Sequence, residues 1–349
     1  MAFVQASEFE LITAGLGYPE GPVYEPDGSI LLVEIRGERL ARVKPDGSVE
    51  TVAEIKGGPN GAAFGPDGKV YIANSGGFDW LDVPLGKQTI SIGMTQPASY
   101  EGGRIERVDI KTGHVETLHR SCSMGCDNSG FGAREPKPVN FPKPVGMRGP
   151  DDLVFDRSGG YWISDFGKQR PRDADVTGIF YVATDDTITE AIFPLAAPNG
   201  IVLSPAEDRI YVALTYSRQV LYWELQGPGK IKPNPATMDG SFLLTAKLPG
   251  QAILDSMAVD EDGNIYVATM LPEGYTPLSN GGITVISPDG KNVDFMEINI
   301  QDEFAPLPSN LCFGGADRKT MYVTCGASGL LVKAQVHVPG LALNFNPYT

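Results

Sequence analysis

Histidine is scarce in this chain: His114, His119 and His337 are the three present among 349 residues. A zinc–imidazole hydrolase centre draws on several histidines, and a serine nucleophile of the usual kind needs one as its base. None of the three opens a recurring motif, so neither chemistry is favoured. Basic residues are outnumbered, 28 Lys and Arg against 43 Asp and Glu, for a net charge of −15. That is the wrong sign for a phosphate backbone and excludes nucleic acid as a partner. No run of about 18 apolar residues reads as a membrane-spanning helix. The opening MAFVQASEFELITAG lacks the basic start and apolar core of a secretory signal, so the expected location is the cytoplasm. Of four cysteines, Cys312 and Cys325 fall in strand-like runs and read as buried thiols. Cys122 and Cys126, near His119, match no common zinc spacing and lack a fourth ligand, which leaves a local disulfide or free loop thiols. An amphipathic helical period is missing as well, and the chain reads as nearly all β.

What is there is repetition. Six segments open with a polar residue, continue apolar and turn seven positions later: EGPVYEPDG from Glu20, NGAAFGPDG from Asn60, DDLVFDRSGG from Asp151, NGIVLSPAED from Asn199, DSMAVDEDG from Asp255 and NLCFGGAD from Asn310. A second β-rich run follows each turn: ILLVEI, VYIANS, YWISDF, IYVALT, IYVATM and MYVTC. A hairpin recurring six times predicts an all-β fold, a six-bladed β-propeller. It would form one domain over residues 1–349, with blades starting near 20, 60, 151, 199, 255 and 310. The early run FELITAG is expected to close the ring by joining the outer part of the last blade.

In a four-stranded blade the first strand begins at the channel mouth, and the second-to-third and fourth-to-first connections return to that face. The long insertions fall there, at about 75–100 and 120–149, with KQRPRDADVTG and LPEGYTPLSNG adding to the third and fifth repeats. Phe78, Trp80, Met94, Tyr100, Phe131, Phe141 and Met147 make these ordered lids rather than linkers, which are poor in such residues. The opposite face has short turns, so a ligand is expected to enter from one side.

First strands line a propeller's channel, so the six opening residues, Glu, Asn, Asp, Asn, Asp and Asn, would gather their oxygens around one axis. Oxygen donors of this kind suit one divalent cation, Ca²⁺ first, with Mg²⁺, Mn²⁺ or Zn²⁺ as alternatives. Taken singly, each position has an ordinary explanation, because Asn-Gly and Asp-Gly pairs form turns. Taken together, the carboxylates would repel and desolvate one another at considerable cost unless a cation lay among them.

EGPVY at Glu20, PDDLVFD at Pro150, PNGIVLS at Pro198, LDSMAVDEDGNIYVA at Leu254 and the closing FGGADRKTMYVTC resemble the senescence-marker-protein/gluconolactonase/luciferin-regenerating family over most of the chain. DDLVFDRSGGYWISDFG is most similar to its bacterial drug-responsive lactonase branch, and the channel pattern is similar to that of the more distant paraoxonases. The resemblance implies a propeller with one catalytic divalent ion and hydrolysis of a lactone, a small cyclic ester. It implies Glu20, Asn199 and Asp255 as metal ligands, and Asp151 as a further ligand or a substrate contact. Asp255 or Asp151 would be the proton acceptor. Asn60, Asp152, Ser256, Arg148 and Asp165 are the candidates for substrate contact, and Lys168 for the pocket wall. The sugar-lactonase branch has an arginine two residues before its acidic pair; here that place is Gly149, with Arg148 beside it. Together with the aromatic lids this points to a bulkier or less polar substrate than a sugar lactone. Phosphotriester hydrolysis, carbon–carbon hydrolysis of a cyclic diketone and a non-catalytic binding propeller stay open on the same scaffold. A monomer or small homo-oligomer is expected.

Overall fold

The structure, a computed structural model, describes residues 4–85, 88–120, 146–237, 239–248, 251–273, 276–300 and 305–347. Runs such as ILLVE and IYVAL are dense in branched side chains, which favour extended backbone. They are apolar without alternation, and the strands they form, Ile30–Glu34 and Arg209–Leu214, are almost wholly buried. That is the pattern of a strand covered on both faces.

Six four-stranded antiparallel sheets form the blades of a propeller. Their innermost strands are Pro19–Tyr24, Pro59–Phe64, Pro150–Phe155, Pro198–Leu203, Ile253–Val259 and Asn310–Gly314. The second strands are Ile30–Glu34, Val70–Asn74, Tyr161–Asp165, Arg209–Leu214, Ile265–Glu273 and Thr320–Cys325. The sixth sheet takes its outer strand from the beginning of the chain: Glu10–Ala14 pairs antiparallel with Leu330–Gln335. FELITAG therefore closes the ring as its sequence suggested.

The core is a set of layers between successive blades rather than one mass. Val33, Ile72 and Val108 pack between blades one and two, and Ala73, Ile163 and Phe180 between two and three. Trp162, Val212 and Trp223 fill the next gap, and Val267 and Ile265 the one after. Val323 and Ile283 join blade five to six, and Leu32 and Leu331 join six to one. Burying each such side chain stabilises by about 1.5–3 kcal/mol, which ties neighbouring sheets face to face.

The turns on the plain face follow from Pro-Asp-Gly. In the first, Gly28 adopts φ +88°, its N–H reaches the Glu25 carbonyl at 3.0 Å, and Asp27 Oδ1 accepts from the Ser29 N–H at 2.9 Å. Glycine takes this left-handed backbone at no steric cost. The stretch after the sixth blade crosses this face. Leu341 N–H donates to Val259 O, Asn344 Nδ2 donates to Phe155 O, and Phe345 packs edge-on against Phe155.

On the other face the insertion in blade two folds as a hairpin, Trp80–Leu85 with Gln88–Gly93. A two-stranded pair, Gln169–Arg170 with Asp173–Ala174, rises from blade three. The fifth repeat's insertion lengthens its second and third strands, which pair as far as Glu273 with Thr276. The expected lid over 120–149 lies largely in residues 121–145, outside the described residues, as do Cys122 and Cys126.

Candidate active site

In five of the six innermost strands, pairing with the second strand slips just where the polar residue stands. The breaks fall between Glu20 and Val23, Pro59 and Ala62, Pro150 and Leu153, Pro198 and Ile201, and Leu254 and Met257. A bulge there turns the polar side chain off the sheet and towards the axis. The inner strands also crowd together: a Cβ on Gly61 would stand 2.6 Å from the Asp151 carbonyl oxygen, and one on Gly200 2.7 Å from Ser256 Cα. Glycine lets the neighbouring backbones close in. The sixth strand keeps register, and Asn310 borders a separate apolar cavity of about 160 Å³ lower in the channel.

Acids and amides alternate around the ring, with Glu20, Asp151 and Asp255 on odd blades and Asn60, Asn199 and Asn310 on even ones. Each amide serves the acid of the next blade. Asn60 Nδ2 donates to Asp151 Oδ2 at 3.0 Å, Asn310 hydrogen-bonds Glu20, and Asn199 hydrogen-bonds Asp255. An amide donates only through nitrogen, so these bonds orient Asn60 and Asn199 with their oxygens free for another partner. Asn199 Oδ1 has one weak donor, Ser256 Oγ at 3.4 Å.

Glu20, Asn60, Asp151, Asn199 and Asp255 line one cavity of about 210 Å³. Above them the wall is aromatic and aliphatic: Tyr18, Ile35, Phe78, Trp80, Phe166 and Tyr216, with Met94 and Met270. The lid's underside packs through Ile90, buried with Met270, Leu307 and Ala327. Its edges are tied by Ser91 N–H to Ala327 O and by the Arg36–Asp82 ion pair. Burial and the charge of Asp255 hold Glu20 well above the usual carboxylate range. Burial, Asp255 and Glu20 do the same to Asp151. Burial pushes Asp255 up to about 7 against the opposing bond from Asn199.

Five other sequence candidates do not line this cavity: Asp165, Arg148 and Lys168, and Asp152 on the lower cavity with Ser256 bonded to it. Asp165 accepts from the backbone N–H of Arg148, Gly149 and Gly167 at 2.7, 2.6 and 3.1 Å, shaping the approach to Asp151. Burial raises it to about 6. Arg148 contributes backbone: its carbonyl accepts from the Tyr100 hydroxyl. Asp152 accepts from the Leu153 N–H and from Ser256, and burial pushes it up to about 7. Lys168 is buried too, donating to the Gly77 carbonyl at 2.7 Å with its ammonium 3.9 Å from the centre of the Phe78 ring. It staples the root of the lid to blade three, and burial lowers it to about 7.

Sequence reasoning missed Tyr18, Ile35, Phe166, Thr215 and Tyr216. Their signal was positional: Ile35, Phe166 and Thr215 each follow a second strand, so that one repeat phase supplies three wall residues.

The donor chemistry fits a hard cation in one respect: buried carboxylates held above their ordinary range gain from a positive charge among them. Among the described residues no three Asp, Glu, His or Cys side chains form a ligand group by themselves. An ion here would therefore draw on amide oxygen, Asn199 above all, as well as on carboxylates from separate blades.

The fold and this cavity define a six-bladed propeller with an oxygen-rich axial site beneath an aromatic lid. The chain belongs to the SMP-30/gluconolactonase/LRE-like family, whose profile matches residues 18–327. It is 24% identical over 352 residues to a gluconolactonase of Zymomonas mobilis, covering 95% of this chain and 82% of that one. It is 34% identical over 120 residues to the lactonase drp35 of Staphylococcus aureus, 34% of this chain and 35% of that protein. In structure it is similar to a gluconolactonase from Xanthomonas campestris, with a TM-score of 0.63 at 17% identity over 94% of this chain and 89% of that one. It is similar also to a calcium-binding regucalcin from Agrobacterium tumefaciens, with a TM-score of 0.62 at 16% identity, covering 97% and 98%. At these identities the structural likeness is one of fold.

Proposed function

We propose that this chain hydrolyses a lactone with one divalent cation, calcium first, held by Glu20, Asn199, Asp255 and Asp151. The observation that carries the reading is the alternating ring, three buried acids each oriented by the amide of a neighbouring blade in one cavity. The cation, when bound, supplies Lewis-acid polarisation of the ester carbonyl. The chain's own residues do the rest. Asp255 is oriented by Asn199 to accept a proton from water, and Asp151 is the alternative acceptor, oriented by Asn60. Asn60 turns its amide oxygen to the cavity and can hydrogen-bond a substrate hydroxyl or the attacking water. Phe78, Trp80, Phe166 and Tyr216 exclude bulk water and pack against the ring of the substrate, which favours a bulkier or less polar lactone than a sugar lactone. Asp165, Arg148, Asp152, Ser256 and Lys168 act here as supports that hold the wall in place.

The test is turnover of a panel of aliphatic, aryl-fused and sugar lactones, with a phosphotriester and a cyclic diketone alongside, by the full chain before and after chelation. Hydrolysis that fails on chelation, returns with calcium and is fastest on the aryl-fused members is expected. Full-rate hydrolysis after chelation removes the metal from the reading, and turnover of phosphotriesters or cyclic diketones alone replaces the lactone.

A further inference from the structure

Two side chains in the cavity wall are kept at a cost to the fold. Thr215 follows the second strand of blade four and is buried, 6% exposed, yet its Oγ1 has no hydrogen-bond partner. Of the orphaned buried polar atoms among the described residues, it is the one in the wall of this cavity. A buried hydroxyl without a partner loses its water and gains nothing in return, and an isosteric valine would carry no such penalty. Tyr18 lies two residues before Glu20 and has φ +61°. A bulky aromatic in the left-handed region is an outlier whose strain must be overcome by its surroundings. Here the ring leans on Trp80 at 5.1 Å between centres and lies over Gly326, where a Cβ would meet Tyr18 Cε1 at 2.6 Å. The conformation directs the phenol into the cavity, and its hydroxyl makes no hydrogen bond among the described residues.

Blades one and four face one another across a ring of six, so these two side chains belong to opposite walls of the cavity. Neither is occupied by the fold, and both retain a donor. We propose that Tyr18 and Thr215 are substrate-binding residues, whose hydroxyls donate to the oxygen atoms of the lactone from opposite walls of the cavity. This rests on the lactone reading above and adds what that reading lacks: neutral donors for the ester oxygens that carboxylates, being acceptors, cannot hold. Unfavourable features clustered at one site are what a stability–function trade-off leaves behind.

The experiment is steady-state kinetics of the calcium-supplemented full chain on the lactone panel, for wild type, Tyr18→Phe, Thr215→Val and Thr215→Ser, with thermal melts of each. Tyr18→Phe and Thr215→Val are expected to lower kcat/KM roughly 10- to 100-fold, the effect of losing one donor to a polarised oxygen. Thr215→Ser retains most of the activity, and Thr215→Val melts at or above the wild-type temperature. Variants with wild-type kinetics overturn the proposal while the lactone reading stands. Loss of activity together with a lowered melting temperature overturns it too, because it assigns the hydroxyls to the fold. A wild type that opens no lactone fails before any variant is compared, and takes this proposal with it.

Discussion

Asp165 shows how one carboxylate fixes the position of another. Its two oxygens gather three backbone N–H groups from the segments on either side, and with them the strand start that carries Asp151. Replacement by alanine orphans all three donors in a buried place. We expect Asp165→Ala to cost about 2–4 kcal/mol, read as a lowered midpoint in urea, and to reduce activity as Asp151 loses its seat. An unchanged midpoint would mean that water takes over those donors. The sequence placed Asp165 among the candidates for substrate contact, and it could not tell which way the side chain turns. The same limit applies to Arg148, whose proximity to the acidic pair is a matter of backbone. Glu20, Asn199 and Asp255 were legible because a repeat aligns equivalent positions, and radial symmetry converts alignment in sequence into convergence in space.

Among the elements, the lid hairpin carries the clearest contrast of magnitudes. The Arg36–Asp82 pair at its edge is over a third exposed on both sides, and such pairs contribute about 0–1 kcal/mol. Ile90 beneath it is 2% exposed, a burial that contributes about 1.5–3 kcal/mol. The apolar contact therefore governs closure. Ile90→Ala should raise KM several-fold with a smaller change in kcat, and Arg36→Ala should leave both near wild type; the reverse order in a kinetic comparison would show that the ion pair holds the lid. That a lid exists was readable from its aromatics and Met94. Its hairpin form was not, since WLDVPL and QTISIG are short and the strands gain their order from resting on blade six rather than from their own pattern.

For the whole molecule the informative variable is pH in the absence of cation. Asp255 and Asp152 titrate at about 7 and Asp165 at about 6 in the folded chain, against about 3.9 unfolded. Between these limits the folded state keeps protons that the unfolded state has released. Their contribution is complete below about pH 4 and is lost as pH climbs through 6 to 7. Exposed acids held low by neighbours, such as Asp46 and Asp82, act in the opposite sense but below that window. Lys168, lowered to about 7, regains stability only above it. Chelated protein should therefore melt at a lower temperature at pH 7.5 than at pH 5, and calcium should restore the loss in a concentration-dependent way at pH 7.5. Melting curves that are flat across this range, or indifferent to calcium, would show that the acids are not coupled through a common ion.

Ring closure has a consequence for biosynthesis. Glu10–Ala14 is translated more than three hundred residues ahead of its partner, Leu330–Gln335. Blade six cannot assemble until Leu330–Gln335 has emerged, and until then the early strand offers a bare edge to any neighbour. The nascent chain is thus exposed to mispairing while the other five blades are made, and the last seam to close is the one that locks all the others.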